Sequence, residues 1–158
     1  MGTIRIGGAA VNQTPIDWDN NVQNILQAIQ EAKNANVEIL CLPELCITGY
    51  GCEDLFLTDW VSETAVDYCF KIAEECIDIV VSIGLPIRLN GNTYNCACLI
   101  EDGNVLGFTS KQFLANEGVH YETRWFTAWM RNHITTFKYK GVAYPLGDVL
   151  YNVKGARI

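Results

Sequence analysis

The first 42 residues constrain the fold most, because they spell a strand, an amphipathic helix and a second strand in close succession. Ile4 to Val11 runs apolar around Gly7 and Gly8, which predicts a buried first strand with a close neighbour. After Pro15, residues Val22, Ile25, Leu26, Ile29 and Ala32 recur at helical spacing, with Asp17 or Asp19 placed to cap the start and Lys33 near the end. Val37 to Leu42 then reads as a strand stopped by Pro43. Strand, helix, strand within so short a span is the grammar of an α/β domain.

The pattern repeats once and then changes. Ser62 is placed to cap a second helix with Ala65, Val66, Cys69, Phe70, Ala73 and Cys76 on one face, followed by the apolar run Ile77 to Leu85. From Pro86 onward, Thr93 to Ile100, a turn at Glu101-Asp102-Gly103-Asn104, and Val105 to Ser110 predict a hairpin, so the sheet is mixed. Gly118 to Tyr144 mixes Trp125, Phe126, Trp129 and Phe137 with polar residues at no clear period, and reads as loop with a short helix. Asp148 to Val153 is strand-like, Lys154-Gly155 is a turn, and Ala156 to Ile158 begins a return strand. A hairpin begun so late leads to the expectation that residues 1–158 are the N-terminal part of a larger domain.

Charge and cysteine usage narrow the function classes. Eleven Lys and Arg against 18 Asp and Glu give a formal charge of −7 with no basic run, which argues against a nucleic-acid or anionic-membrane surface. The 49% apolar content is too high for a disordered chain, and no stretch approaches the about 20 apolar residues of a membrane span. Seven cysteines, an odd set with no secretory leader ahead of Ile4, suit reduced thiols in a cytoplasmic protein. They are expected to behave as small buried hydrophobes. No Cys-x2-Cys pair exists and His120 and His133 lie in another segment, so no metal site is expected. A small-molecule substrate is the better expectation.

Two ionisable residues stand at strand ends, where open α/β sheets carry their sites. Glu44 follows an apolar strand directly in Leu42-Pro43-Glu44-Leu45, where dry surroundings would raise a carboxyl pKa. Lys111 holds the equivalent place after Val105 to Ser110. Each alone also fits a plainer reading, as an ion-paired or capping glutamate and a solvated lysine.

Further segments give these two residues a context. Pro43-Glu44-Leu45 is followed by Thr48-Gly49-Tyr50 and Glu53-Asp54-Leu55, then Gly84-Leu85-Pro86, Tyr94-Asn95, Asp102 to Gly107, and Lys111 with Leu114. Ala115-Asn116-Glu117-Gly118, Arg124-Trp125-Phe126 and Tyr144-Pro145-Leu146-Gly147-Asp148 extend the series. In order and spelling the chain resembles the nitrilase (carbon-nitrogen hydrolase) superfamily, and within it the glutaminase domains of glutamine-dependent NAD synthetases of the eukaryotic type. Gly-Tyr followed by Glu-Asp-Leu is the spelling that separates those domains from other nitrilases. The resemblance runs from about Ile4 to the last residue.

The resemblance implies an α/β four-layer αββα sandwich with mixed sheets, incomplete at its C-terminal end within 1–158. It also implies a Glu-Lys-Cys site in which a thiolate attacks the side-chain amide of glutamine. Glu44 matches the base, Lys111 the cation facing the oxyanion, and Glu122 the second glutamate that orients the lysine. Glu117, His120 and Tyr121 fall in the segment expected to line the glutamine pocket, and many bacterial relatives have Tyr where Glu117 stands. The nucleophilic Cys is expected just beyond Ile158; Cys46 and Cys52, near Glu44 in sequence, precede Lys111 and are out of family order. No cofactor is implied in this domain. A C-terminal synthetase domain using ATP and Mg to amidate nicotinic acid adenine dinucleotide is implied, as is a homo-oligomer, with the 158 residues inactive alone. Two rivals share the fold: a stand-alone nitrilase-type amidase and a catalytically silent interaction module.

Overall fold

The computed structural model describes residues 3–158. Strands β1 (Ile6–Gly8), β2 (Ile39–Cys41) and β3 (Val80–Leu89) pair in parallel, joined across helices α1 (Trp18–Asn34) and α2 (Asp59–Ala73). β4 (Asn92–Glu101) and β5 (Asn104–Ser110) continue antiparallel. A hairpin of β6 (Ile134–Tyr139) and β7 (Val142–Gly147) completes a seven-stranded mixed sheet in the order β1-β2-β3-β4-β5-β7-β6. β8 (Asn152–Val153) and β9 (Ala156–Arg157) form a separate two-stranded hairpin.

Helical and strand periodicities meet in one core. Ile25 and Ile29 of α1 and Ala65, Val66, Cys69 and Ile72 of α2 pack on Leu40, Val81, Ile83, Cys98 and Ile100 of the sheet. Burying each large aliphatic side chain contributes ~1.5–3 kcal/mol. Strand alternation sends Ile39, Val80 and Leu99 to the opposite face, where Val153 of the β8-β9 hairpin joins them. The architecture is a nitrilase-like α/β fold with a mixed sheet. Of the four expected layers, the described residues form one helical layer and the large sheet.

Several elements differ from the sequence expectations for identifiable reasons. β1 is an edge strand of three residues with Ile6 66% exposed, because only β2 flanks it. The Asp17 carboxylate stands at the N-cap position but accepts from the Asn20 side chain at 2.8 Å, and no side chain caps the helix. α2 begins at Asp59, ahead of the expected Ser62 cap, because its buried stripe reaches back to Val61. Pro86 lies within β3, where β2 has already ended after pairing with Ser82 and no ladder bond is lost. Within Gly118 to Tyr144, the expected short helix is the 3-10 turn Glu122–Arg124, and from Ile134 onward the β6-β7 hairpin replaces the expected loop. Its turn is Lys140-Gly141, both at positive φ, as two-residue hairpin loops require. All seven cysteines are free, and six are buried; Cys41, at the end of β2, is exposed. Among the described residues no helix is long and apolar enough to cross a membrane.

Candidate active site

Pro43 follows β2 and offers no N–H to a ladder, so the chain leaves the sheet at Glu44. Leu45 takes a left-handed φ of 52° there, and its side chain is buried with Phe56, Trp125 and Phe126. The turn rides directly over Gly84 of β3: a Cβ on that glycine would collide with the Leu45 nitrogen and the Pro43 carbonyl oxygen. Gln13 donates to the Cys46 carbonyl at 2.7 Å and the buried Asn21 donates to the Ile47 carbonyl at 3.2 Å, bracing the residues that follow. Glu44 therefore stands on a fixed turn at the end of a sheet strand.

Lys111 follows β5 and is anchored by its backbone, with its N–H donating to the Asn95 carbonyl at 2.8 Å. Its ammonium donates to Glu44 Oε1 at 2.8 Å and Oε2 at 3.0 Å. Asn95 donates its side-chain amide to Glu44 Oε2 at 3.2 Å. Glu122, from the short 3-10 turn Glu122–Arg124, approaches the same ammonium from another side, with Oε1 at 3.2 Å and Oε2 at 3.1 Å. Glu44, Lys111 and Glu122, singled out separately in the sequence, thus form one contiguous group beside a pocket of about 220 Å³.

The two carboxylates sit in opposite environments. Glu44 is 49% exposed, which corrects the expectation of dry surroundings: its turn projects over the open pocket. Glu122 is the buried one, at 0% exposure, and accepts from the Ala115 N–H at 2.7 Å and the Tyr50 hydroxyl at 2.8 Å besides Lys111. Burial alone would raise its carboxyl, but these three donors outweigh burial and hold it below its ordinary 4.5. Burial likewise opposes the Lys111 ammonium, and the two carboxylates outweigh it, raising the lysine above 10.5. A fixed cation beside an exposed proton acceptor is the result.

The three residues expected at a glutamine pocket stand apart from this cavity. Glu117, His120 and Tyr121 do not line this pocket. Ala115 and Glu122 are tied twice to each other, and the residues between them loop out to solvent. The His120 ring stands edge-on to Tyr50 with centroids 6.2 Å apart, and Tyr121 leans on Trp125 at 5.1 Å. Tyr50 and Asn95 are members of the site that sequence reasoning left without a role. Asn95 carried a usable signal, a polar residue inside an apolar strand, here 4% exposed.

The cysteines near the site are poor nucleophiles. Burial pushes the Cys46 thiol up to about 12 and Cys52 to about 11, and neither lines the pocket. Cys96 does line it, but burial pushes its thiol up to about 12. Among the described residues no group of three His, Cys, Asp or Glu side chains is disposed to hold a metal ion.

Known proteins share this arrangement of segments. The chain is 38% identical over 132 residues to a glutamine-dependent NAD(+) synthetase of Arabidopsis thaliana, a match that covers 82% of this chain and 18% of that protein. A solved glutamine-dependent NAD(+) synthetase from Cytophaga hutchinsonii superposes with a TM-score of 0.96 at 79% identity, covering 99% of this chain and 27% of that one. A glutamine-dependent NAD+ synthetase from Acinetobacter baumannii, solved in complex with adenosine diphosphate, matches with a TM-score of 0.67 at 30% identity over 87% of this chain and 26% of its own. The chain therefore spans about a fifth to a quarter of the length of these relatives. The family model described as carbon-nitrogen hydrolase matches residues 6–155, a stretch that carries Glu44, Lys111 and Glu122 together, and the chain belongs to the carbon-nitrogen hydrolase family.

Proposed function

We propose that this chain is the N-terminal part of the glutaminase domain of a glutamine-dependent NAD synthetase. One observation carries the reading: the Lys111 ammonium is held by an exposed carboxylate, Glu44, and a buried one, Glu122, at 2.8 to 3.2 Å. Only the exposed carboxylate is free to exchange protons with a substrate.

In this reading the nucleophile is a cysteine thiol supplied beyond Ile158. Glu44 takes the thiol proton, and the thiolate attacks the side-chain carbonyl carbon of glutamine. Negative charge moves to the amide oxygen, where the Lys111 ammonium faces it. Glu44 then returns the proton to the departing nitrogen, so ammonia leaves and a thioester remains. Water, losing its proton to Glu44, opens the thioester to glutamate and the free thiol. Glu122 takes no part in proton transfer and keeps Lys111 charged and aimed. Glu117, His120 and Tyr121 contribute contacts to bound glutamine.

Ammonia is passed to a C-terminal synthetase domain, which uses ATP and Mg to amidate nicotinic acid adenine dinucleotide. The great length of the relatives and the adenosine diphosphate held by one of them support this division of labour. The glutaminase domain itself holds no cofactor. The whole protein is a cytoplasmic homo-oligomer, and the 158 residues alone are inactive.

The test is to supply the complete gene product with nicotinic acid adenine dinucleotide, ATP and Mg, and either glutamine or ammonium. NAD is expected from both nitrogen sources, with a glutamine-analogue diazo-ketone blocking only the glutamine-driven reaction. Glutamate without NAD would identify a stand-alone amidase, and neither product a silent module.

A further inference from the structure

The Glu122 carboxylate has no water to fall back on, so its position depends on what holds its turn. Two ties connect that turn to the 3-10 segment Tyr50–Leu57. One is the Tyr50 hydroxyl on Glu122 itself. The other lies on the outside: Asp54 accepts Arg124 Nε and Nη2, each at 2.7 Å, and the Trp125 indole N–H at 3.0 Å. Arg124 and Trp125 immediately follow the Glu122 turn, and Trp125 and Phe126 then pack on Phe56 at centroid distances of 6.2 and 4.9 Å. Asp54 is thus clamped by three donors from two consecutive residues.

The backbone directly before the clamp is strained. Glu53, directly before Asp54, has φ 49° and ψ −128°, a conformation outside the regions open to residues with a Cβ. Strain of this kind persists only where the surroundings hold it: buried Cys52 and Phe56, the latter's carbonyl accepting from the Thr93 hydroxyl at 2.9 Å, hold the segment on the inside, and the Asp54 contacts hold it on the outside. Yet Arg124 and Asp54 are 58% and 60% exposed, so the pair is weakly insulated as a surface ion pair. An exposed pair fastened by strain is a costly way to add bulk stability and a sound way to set a geometry.

We propose that Asp54 is a positioning residue for glutamine hydrolysis: by clamping Arg124 and Trp125 it keeps the Glu122 carboxylate seated on the Lys111 ammonium. The proposal rests on the glutaminase reading above. Asp54 does not line the pocket, and its hydrogen bonds go to Arg124 and Trp125 rather than to Glu44, Lys111 or Glu122. When the clamp opens, the turn relaxes outward, Lys111 keeps Glu44 as its one carboxylate partner, and its aim at the amide oxygen is lost.

The experiment compares Asp54→Asn, Arg124→Gln and the double variant with wild type in the complete gene product, with glutamine and ammonium as alternative nitrogen sources. Each single variant is expected to lower kcat for glutamine about tenfold to a hundredfold, the scale of a misplacement near 1 Å, while ammonium-driven synthesis stays at the wild-type rate. The double variant should lose no more than the singles, because all three open the same clamp. The alkaline limb of the glutamine pH profile should move to lower pH, since Lys111 has lost a carboxylate; loose packing alone would not move it. Equal loss of both nitrogen sources, additive losses in the double variant, or an unmoved alkaline limb would overturn the proposal. A wild-type protein without any glutamine-driven synthesis would instead overturn the glutaminase reading, and the proposal with it.

Discussion

The Tyr50 hydroxyl donates a 2.8 Å hydrogen bond to Glu122, joining two segments 72 residues apart at the buried side of the Lys111 ammonium. Removing this donor leaves a fully buried carboxylate one partner short, a loss that costs ~1–3 kcal/mol. Tyr50→Phe should therefore lower the unfolding free energy by that amount in urea titration, and lower glutamine hydrolysis as well. Unchanged stability would mean that Glu122 does not depend on the phenol.

Gly84 fixes where Glu44 stands. With the Leu45 nitrogen and Pro43 oxygen occupying the place of a Cβ, Gly84→Ala must push the Glu44 turn off the sheet. Overpacking of this kind costs ~1–3 kcal/mol, and here the displaced atoms are backbone, which yields little. Thermal unfolding should report the destabilisation, and glutamine turnover should fall further than a substitution of equal cost elsewhere in β3. A fully active, fully stable alanine variant would contradict the account of this turn.

Acid stability follows from the depressed carboxyls. A carboxylate with a lowered folded pKa stabilises the fold above its unfolded value and loses that contribution as pH falls through the folded one. For Glu122 the decline begins near 4.5 and continues below it; for Asp54, held down to about 2 chiefly by Arg124, it runs from 3.8 to about 2. Urea midpoints across this range should fall steeply for wild type and less steeply for Glu122→Gln. Parallel slopes would remove Glu122 from the acid transition.

Thiol reactivity should single out one cysteine of the seven. Cys41 is exposed, while Cys46, Cys76 and Cys96 are buried with thiols pushed up to about 12. A short iodoacetamide pulse followed by peptide mapping should mark Cys41 first. Prior labelling of Cys46, Cys52 or Cys96 would reopen the possibility of a nucleophile within these residues.

Local pattern made much of this arrangement legible. The helical stripe from Val22 to Ala32 and the Asp102-Gly103 turn are self-sufficient signals, and both elements formed where the pattern put them. The β6-β7 hairpin was illegible because it lies near the sheet's far edge, where Ile134 and Val142 remain exposed and alternation carries no apolar contrast. Lys140-Gly141 was the signal to use. At the site, Glu44 and Lys111 were visible as strand ends, but Tyr50 and Asp54 act through partners some 70 residues away. Spacing along the chain does not encode such contacts. Glu44 is the dry carboxylate by its place in sequence, but Glu122 is the dry one in the structure, because Glu44 stands on a turn over the open pocket while Glu122 is enclosed by Ala115, Tyr50 and Lys111.

The central claim is that Glu44 and Lys111 serve glutamine chemistry and nothing else. Its most direct test is to measure NAD formation by Glu44→Gln and Lys111→Met in the complete gene product with glutamine and, separately, with ammonium. The account predicts that glutamine-driven synthesis falls to background in both variants while ammonium-driven synthesis is retained. Equal loss from both nitrogen sources, or undiminished use of glutamine, would contradict it.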